Sequence, residues 1–275
     1  MTTQLWNRYT SLQVGQVLIP ARTLDIDFTV DSADSTSAAG TAEITIYNLS
    51  QDTRAQLAAD QAVTLDAGYA GNHGTIFLGS VDNVEDEIDG QDTKTIILCT
   101  SSDFPTSAEP RTYPAGTPIR QIVSDAFAAA DVPTGYIDDQ EAVTPYEYTS
   151  DPSIAATLQW CAQQCSGSDD TADEKKPFRF FVEGGAGYFV PADYSRPVTE
   201  AIVASSATGL ISTKKADPDD GAYDRIITCL LTWQVAVNSV IRLASRIPGA
   251  SGDYRAISYS HDSTDYTTEL KVKTA

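Results

Sequence analysis

The chain has 275 residues, of which 38 are Asp or Glu and 18 are Lys or Arg, so its formal net charge is −20. This excess of carboxylates argues against a protein that binds nucleic acid through its phosphates. Hydrophobic residues make up 41% of the chain, which is enough for cores in one large domain or in two to three small ones. No apolar run of about 18 residues predicts a membrane span, and the first residues lack the basic and apolar segments of a secretory signal.

The acidic residues are mostly Asp, which accounts for 28 of the 38, while only 7 of the 18 basic residues are Lys. They are scattered along the chain, which argues against a disordered acidic tail. Two explanations remain. One is a generally solvated surface, and the other is adaptation to molar salt, where screening removes the repulsion among carboxylates. Abundant Asp with scarce Lys is similar to the composition of proteins from extreme halophiles, so the sequence predicts a halophilic, acidic protein.

Residues 1–103 are predicted to form a β domain, because short segments alternate apolar and polar residues and are separated by turn signals. Strands at this spacing indicate a closed or sandwich-like domain. The predicted strands are Leu24–Val30, Ala42–Leu49, Val63–Gly71, Thr75–Ile88 and Lys94–Ser101.

The second of these strands is predicted to stop abruptly and to lead into a short helix. Ser50 is a suitable N-cap, because its hydroxyl can accept a hydrogen bond from a free amide of the first turn. Asp52 falls in that turn, where the helix dipole favours an anion. Leu57 is predicted to anchor the segment to the core.

Residues 104–200 are predicted to form a small α+β domain. Thr117–Val132 and Asp151–Cys165 have apolar residues at helical spacing, and Phe178–Tyr194 reads as a hairpin that turns at Gly184–Gly187. The predicted N-caps, each followed by a proline at the first helical position, are Thr117 before Pro118 and Asp151 before Pro152.

Residues 201–275 are predicted to return to strands, so the chain is expected to be α+β and mainly β, with two β domains that flank the inserted domain. No repeat is visible in the sequence, although the two β regions are compatible with one shared fold. The candidate strands are Asp224–Gln234, Ser239–Ile247, Gly252–Ser263 and Tyr266–Thr274.

Catalytic groups are sparse. His73 lies in an apparent turn and His261 near the end of a strand, and no Ser occupies a nucleophile-elbow motif beside them. Cys161 and Cys165 have the spacing of two metal ligands, but the same spacing places them on the apolar face of a helix, where core packing is the favoured interpretation. The four cysteines are expected to be reduced and buried.

An acidic cluster occurs at Asp82, Glu85, Asp86 and Glu87. Paired carboxylates can hydrolyse glycosides, but in so acidic a chain such clusters arise by chance. A solvated strand edge, whose charges discourage unwanted strand pairing, is the preferred interpretation. The sequence therefore assigns no catalytic, cofactor-binding or metal-binding residue, and predicts that the protein is not an enzyme.

Several stretches, in order, resemble the tail hub proteins of tailed bacteriophages and archaeal tailed viruses. AEITIYNLSQDTR is similar to the hub's strand that enters a short helix, and VTLDAGYAG and GTIFLGSVDNVEDEIDGQDTKTIILC are similar to the strands that follow. AGTPIRQIVSDAFAAADVP resembles the hub's small inserted domain. The carboxy-terminal stretch from Leu231 to Val272 resembles its last domain. The resemblance therefore covers most of the chain.

This resemblance implies a structural virion protein at the distal end of a viral tail, in the tail tip, assembled in the host cytoplasm. Each chain would supply two tube-like β domains, and a homotrimer would present a quasi-sixfold face to the tail tube and surround the DNA channel. The implied partners are the tail tube or distal tail protein, the tape measure protein and the tip or fibre proteins. A channel that passes DNA without specific binding would be lined by carboxylates, which repel phosphate.

The alternative is an independent β-rich carbohydrate-binding module or glycoside-acting enzyme. It would use aromatic side chains as stacking platforms, and Trp6, Trp160 and Trp233 are the largest candidates, although core or interface packing is favoured for the last two. An exposed row of aromatics on one sheet face would support this alternative, and the sequence shows no clear row. For a hub, Arg54, Arg111 and Arg179 are candidates to pair with acids of another subunit.

Overall fold

The structure is a computed structural model that divides into two compact units. The first combines both ends of the chain, Met1–Ser101 with Ser195–Ala275, and the second is Ser102–Tyr194. The residues that the structure describes are 7–32, 40–101, 108–138, 141–166, 178–183, 186–191, 194, 201–217 and 223–275.

The amino-terminal half of the first unit contains seven strands and one short helix. The elements are β1 (Arg8–Val14), β2 (Val17–Ile19), β3 (Ile26–Asp31), β4 (Thr41–Tyr47), α1 (Gln51–Arg54), β5 (Ala62–Tyr69), β6 (Asn72–Asp89) and β7 (Asp92–Ser101). All five strands predicted in this region are present, and the structure adds β1 and β2, which the alternation pattern did not reveal.

The second unit lies between the two halves of the first in sequence. Its elements are β8 (Thr112–Tyr113), α2 (Ile119–Ala129), β9 (Thr134–Ile137), β10 (Tyr148–Thr149), α3 (Ile154–Ser166), β11 (Phe178–Glu183) and β12 (Ala186–Pro191). Helices α2 and α3 pack over the three-stranded sheet β11-β12-β9, with Phe127, Leu158 and Phe189 fully buried between them. The predicted hairpin is confirmed by the pairing of β11 with β12, while Gly184 and Gly185 of its turn lie outside the described residues.

The carboxy-terminal half of the first unit contains six strands. They are β13 (Ile202–Ser205), β14 (Leu210–Lys215), β15 (Arg225–Leu230), β16 (Val240–Ala244), β17 (Gly252–Asp262) and β18 (Thr267–Thr274). The four predicted strands correspond to β15 to β18, and β13 and β14 are additions. The chain is therefore α+β and mainly β, as the sequence predicted.

All thirteen strands of the first unit belong to one sheet, and its two halves repeat the same strand order. The order is β3-β4-β7-β6-β5-β1 in the amino-terminal half and β14-β15-β18-β17-β16-β13 in the carboxy-terminal half. Corresponding strands follow one another in the same order in both halves, although β1 is antiparallel to β5 whereas β13 is parallel to β16. Strand β17 has an additional neighbour in β3, and β1 has one in β2. The halves are thus two copies of one six-strand topology, joined where β17 pairs with β3.

Each half has its own hydrophobic core on one face of this sheet. Residues Leu12, Ile44, Leu65 and Ile97 are fully buried in the amino-terminal core. Ile227 and Val272 are fully buried in the carboxy-terminal core. At about 25 cal/mol per Å² of apolar surface, each such side chain stabilises the fold by roughly 1.5–3 kcal/mol. The period of two along the strands leaves the opposite face, called the solvent face below, to polar residues.

The strand-to-helix join at Ser50 is confirmed. The Ser50 hydroxyl accepts a hydrogen bond from the Thr53 amide at 3.2 Å, and Asp52 lies in the first turn. Helix α1 has only four residues and none of them is buried, so the predicted anchor Leu57, which is 5% exposed, fixes the segment to the core.

The other two predicted N-caps are wrong. The Thr117 hydroxyl instead donates to the Pro114 carbonyl at 2.7 Å, and α2 begins after Pro118 without a side-chain cap. The Asp151 carboxylate accepts from the Ser153 amide at 2.7 Å, while the Ser153 hydroxyl accepts from the Ala156 amide. Ser153 therefore caps α3, because a hydroxyl three residues before a free amide reaches it directly.

Tyr266 closes the contact between the β17–β18 turn and the amino-terminal core. Its ring is 3% exposed and packs edge-on against Phe28 and Tyr69. Its hydroxyl accepts from the Gly68 amide at 3.1 Å and donates to the Tyr9 carbonyl. A side chain from the β17–β18 turn thereby satisfies backbone groups of β1 and β5 at the far side of the amino-terminal core.

Tyr266→Phe is expected to lower the free energy of unfolding by about 1–3 kcal/mol, because it leaves a buried amide and a carbonyl without their partner. The control is Tyr47→Phe, whose hydroxyl donates to the exposed Asp27 carboxylate and should contribute less than about 0.5 kcal/mol. Equilibrium denaturant unfolding of both variants measures the difference. Equal losses in the two variants would contradict the closing role of Tyr266.

Candidate functional site

The solvent face of the sheet is strongly acidic across β3, β4 and β6. The register places Thr29 opposite Glu43, Glu43 opposite Leu98, and Leu98 opposite Asn83, so the exposed side chains of four strands share this face. We call this surface the acidic face; its carboxylates are Asp27, Asp31, Glu43, Asp82, Glu85 and Glu87, all exposed.

The acidic face is open and shallow. A shallow open depression on it is lined by Thr29, Thr41, Glu43, Asp82 and Leu98, among others. The described residues contain no cluster of three or more His, Cys, Asp or Glu side chains arranged to hold a metal ion. A surface that carries several exposed carboxylates creates a negative potential that disfavours phosphate.

The acidic cluster predicted from the sequence lies on an open strand edge, as expected. Strand β6 pairs with β5 only as far as Ser80 and with β7 as far as Asp89. From Asp82 onward, no strand in the described part of the chain lies on its other side, and the cluster is exposed. Its charges therefore discourage pairing with strands that carry no complementary charge.

Two cations balance this edge within the chain. The Arg54 Nε donates to both oxygens of Asp86 at 2.7 and 2.9 Å, which lowers the pKa of that carboxyl. Lys94 pairs with Asp89 at 2.6 Å. Of the other arginines named above, Arg111 lies 3.8 Å from Asp125, and Arg179 lies over the Phe181 ring. Arg54 and Arg111 thus have acidic partners inside their own chain.

The two histidines have contrasting environments. His73 is exposed at the start of β6 and stacks on Tyr9, with ring centroids 3.7 Å apart. His261 is fully buried on β17; its Nδ1 is 2.8 Å from the Thr268 hydroxyl, and no described residue lies within hydrogen-bonding distance of its Nε2. Burial lowers the pKa of His261 to about 3. Among the described residues, no carboxylate is hydrogen-bonded to either ring as a hydrolytic triad requires.

The cysteines are structural, as predicted. Cys99, Cys161, Cys165 and Cys229 are all buried. Burial raises the pKa of Cys99 and Cys161 to about 12, so these thiols stay protonated and unreactive.

The tryptophans pack internally in the described residues. Trp160 stacks on Tyr148 with ring centroids 3.6 Å apart, and the Trp233 Nε1 donates to Asn72 at 3.0 Å. The expected packing role is confirmed for both, whereas Trp6 lies outside the described residues.

The small sheet of the second unit carries a row of aromatic rings that the sequence did not reveal. Phe181 stacks on Tyr188, and Tyr136 stacks on Tyr194, with centroids 5.2 and 5.1 Å apart. Strand register places Tyr188 beside Tyr136, and a Cβ on Gly135 would lie 2.8 Å from the Tyr188 ring. Only Tyr136, at 41% exposed, offers much of its surface, because Phe181 is buried and the other two are half-buried.

The buried His261 predicts a dependence of stability on pH. Its pKa is lower in the folded state than the ordinary value of about 6.5, so the unfolded state binds the proton more readily below that pH. The free energy of unfolding should fall as the pH drops from about 6.5 to 5, by up to roughly 1.4 kcal/mol per pH unit from this residue. His261→Gln removes the titration, so denaturant unfolding should show a flatter pH dependence. Parallel pH profiles of the two proteins would contradict the assignment.

Comparison with known proteins places the fold among tail proteins. No protein-family model matches the sequence, and no curated protein matches it. The 43 kDa tail protein of prophage MuSo2 from Shewanella oneidensis superposes with a TM-score of 0.63 at 10% identity, covering 98% of this chain and 97% of that one. A tail protein from Neisseria meningitidis MC58 gives 0.66 at 10% identity, with the same coverage.

A third similar structure comes from a secretion system. It is an E. coli protein described as a component of the type VI secretion system, with structural similarity to T4 bacteriophage tail proteins. Its TM-score is 0.59 at 11% identity, and the match covers 96% of this chain and 76% of that one. The descriptions of these three proteins name tail or secretion-system components. The chain has the fold of phage tail proteins over nearly its whole length.

Proposed function

We propose that the protein is a structural component of a virus particle: the hub at the distal end of a viral tail, which joins the tail tube to the tip, baseplate or fibres. The observation that carries this proposal is the match of the whole chain, both units included, to two tail proteins. A partial match would leave one unit without an explanation. The sequence resemblance to tail hubs, found over most of the chain, supports the same role.

The internal duplication supports a homotrimer. One chain contributes two copies of a six-strand topology to a single sheet, so three chains contribute six. A ring with threefold symmetry would thereby offer six similar positions to a hexameric tail tube. Closed cyclic symmetry is the common solution for homo-oligomers. The two halves, residues 1–103 and 201–275 in the sequence-based division, would be the tube-like domains, and 104–200 the inserted one.

The acidic face supports a position around the DNA channel. Its carboxylates repel phosphate, so DNA would pass along it without being held. The tail tube or distal tail protein, the tape measure protein and the tip or fibre proteins would be the neighbours in the particle, after assembly in the host cytoplasm. None of the helices in the described part of the chain has the length and hydropathy that a membrane span requires.

The aromatic row favours a second candidate function, carbohydrate binding. Aromatic rings on one face of a sheet can stack on sugar rings, and Tyr136 and Tyr188 lie side by side on β9 and β12. Because most of the row is covered, the available platform is small. A glycan screen of the wild type against Tyr136→Ala tests it, and binding that is lost in the variant would support this second function.

The mass in solution tests the hub proposal. Light scattering behind a sizing column should give a species near three times 29.5 kDa in molar salt. At low salt, screening is lost and the charge of −20 should weaken both the trimer and the fold if the protein is adapted to high salt. Circular dichroism in the same buffers separates dissociation from unfolding.

Two outcomes would count against the proposal. A one-chain species at every salt and protein concentration, together with a positive glycan screen, would transfer the assignment to the binding module. A folded, salt-insensitive trimer would keep the hub and remove the halophilic explanation of the charge.

A further inference from the structure

We propose that the open edge of β6 pairs with the open edge of β14 in a second copy of the chain, with Glu87 opposite Lys214 and Asp86 opposite Lys215. This inference rests on the proposed homo-oligomer and specifies which strands join its copies. It follows from the internal duplication. Inside the chain, the end of β17 pairs with β3, and we use the register of that pairing for the contact between chains.

The two halves can be aligned residue by residue through a shared irregularity. The register of β6 with β7 shifts between Val81 and Asn83, and the register of β17 with β18 shifts between Ala256 and Ser258. Bulges of this kind are retained features of a fold. Aligning them makes Asp86 the counterpart of His261 and Glu87 the counterpart of Asp262.

Side-chain chemistry supports this alignment independently. His261 pairs with Thr268 across its hairpin and lies 2.8 Å from the Thr268 hydroxyl. Its counterpart Asp86 pairs with Thr95 across the other hairpin and accepts from the Thr95 hydroxyl at 3.0 Å. Each half therefore has a threonine at the corresponding position, Thr95 or Thr268, and its hydroxyl contacts the polar side chain opposite it.

The joint within the chain uses the last residues of β17. Its first residues pair with β16, and its end then pairs with β3, with His261 opposite Val30 and Asp262 opposite Thr29. Strand β6 repeats the first part of this pattern with β5, but its end has no strand beside it in the described residues. One half therefore has a docked neighbour at the position that the other half leaves open.

The counterpart of β3 is β14. The pairing of β3 with β4, and of β14 with β15, makes Lys214 the counterpart of Thr29 and Lys215 the counterpart of Val30. Strand β14 ends the path of the sheet and pairs, among the described strands, with β15 alone. The two strands that would form the second joint, β6 and β14, therefore both have an open edge in each chain.

Transferring the register of the internal joint to these edges gives complementary charges. The exposed Glu87 falls opposite the exposed Lys214, and Asp86 falls opposite Lys215. Opposite charges placed directly across two strands stabilise their pairing. The chain has only 7 Lys against 38 acids, and two of these lysines lie next to each other on this edge.

The pairing of β6 with β14 would begin at Glu85, because the backbone amide and carbonyl of Val84 are already hydrogen-bonded within the chain. The Asn83 side chain accepts from the Val84 amide at 2.9 Å, and Arg54 donates to the Val84 carbonyl at 3.2 Å. Beyond it, Ile88 is 79% exposed, and Ile211 on the partner edge is 56% exposed. The transferred register brings these two apolar side chains to the same region, so pairing would remove both from water.

This contact is head-to-tail, since a different edge is used on each copy. Such contacts close into a ring when the rotation per copy allows it. Around the ring, internal joints of β17 with β3 would alternate with joints of β6 with β14, and the solvent faces of all halves would lie on one continuous sheet.

A cross-linking experiment tests the register. Within the chain, His261 and Val30 form a hydrogen-bonded pair, so the next pair, Asp262 with Thr29, is a non-hydrogen-bonded one. The side chains of such a pair lie close together. The corresponding pair between two copies is Glu87 with Lys214. Glu87→Cys combined with Lys214→Cys should give disulfide-linked multimers under mild oxidation, removed by reductant. The control is Asn83→Cys with Lys214→Cys, which the register separates by about 13 Å, beyond disulfide reach. The native cysteines are buried and contribute little background.

A charge exchange tests the same contact without oxidation. Lys214→Glu and Glu87→Lys should each raise the dissociation constant of the oligomer about tenfold or more, because like charges then face each other. The double exchange should restore association. The control is Lys271→Glu, which makes the same charge change on β18, a strand with a neighbour on each side.

The outcomes separate this inference from the proposed function. Cross-links in the register pair alone, with rescue by the double exchange, support the joint. A wild-type trimer with no cross-link and with unchanged single variants overturns the joint and leaves the hub in place. A protein that stays a single chain and forms no cross-link overturns both.

Discussion

The structure depends on one short interaction, the pairing of the end of β17 with β3 through three residue pairs. The alternation of core-facing and solvent-facing side chains continues across this joint. His261 and Val30 both face the core, while Asp262 and Thr29 both face solvent. Two halves with separate cores therefore present one common solvent face. The placement of the acidic residues, the buried imidazole and the open edges all follow from this alignment.

Asp86 and His261 occupy corresponding positions in the two halves, and each half accommodates a polar side chain on the core-facing side of its strand in a different way. At the inward-facing position of the first half, the carboxylate of Asp86 remains exposed and is neutralised by Arg54 from α1. In the second half, His261 is sealed in the core and held neutral by burial. A charged side chain suits the half whose edge is open, because water still reaches it; a neutral ring suits the half whose edge is covered, because an unpaired buried charge would destabilise it strongly.

Much of this fold was predictable from local patterns, and the remainder depends on contacts distant in sequence. The alternation of Ile44 and Ile46, the N-cap Ser50 and the anchor Leu57 are local signals, and the structure confirms each of them. The sequence pattern does not predict strands β13 and β14, because their residues are mostly half-exposed and lack strict alternation of apolar and polar side chains. The cap at Ser153 was missed because Asp151 and Ser153 are both good cap residues and only geometry separates them. The role of Tyr266, the openness of two edges and the duplication itself have no local signature, since each is a relation between distant strands.

The closing contacts of the first unit connect residues at opposite ends of the chain, and this has a consequence for how the protein folds as it is synthesised. The Phe28 amide donates to the Ser263 hydroxyl across 235 positions of sequence. Contacts of such high order form slowly, because the loop-closure entropy is spent before they stabilise anything. While the ribosome completes the chain, β3 waits with an open edge until its own β17 emerges. Another nascent chain's β17 presents the same complement, so closely spaced nascent chains favour exchanged strands, and dilution favours the correctly closed protein.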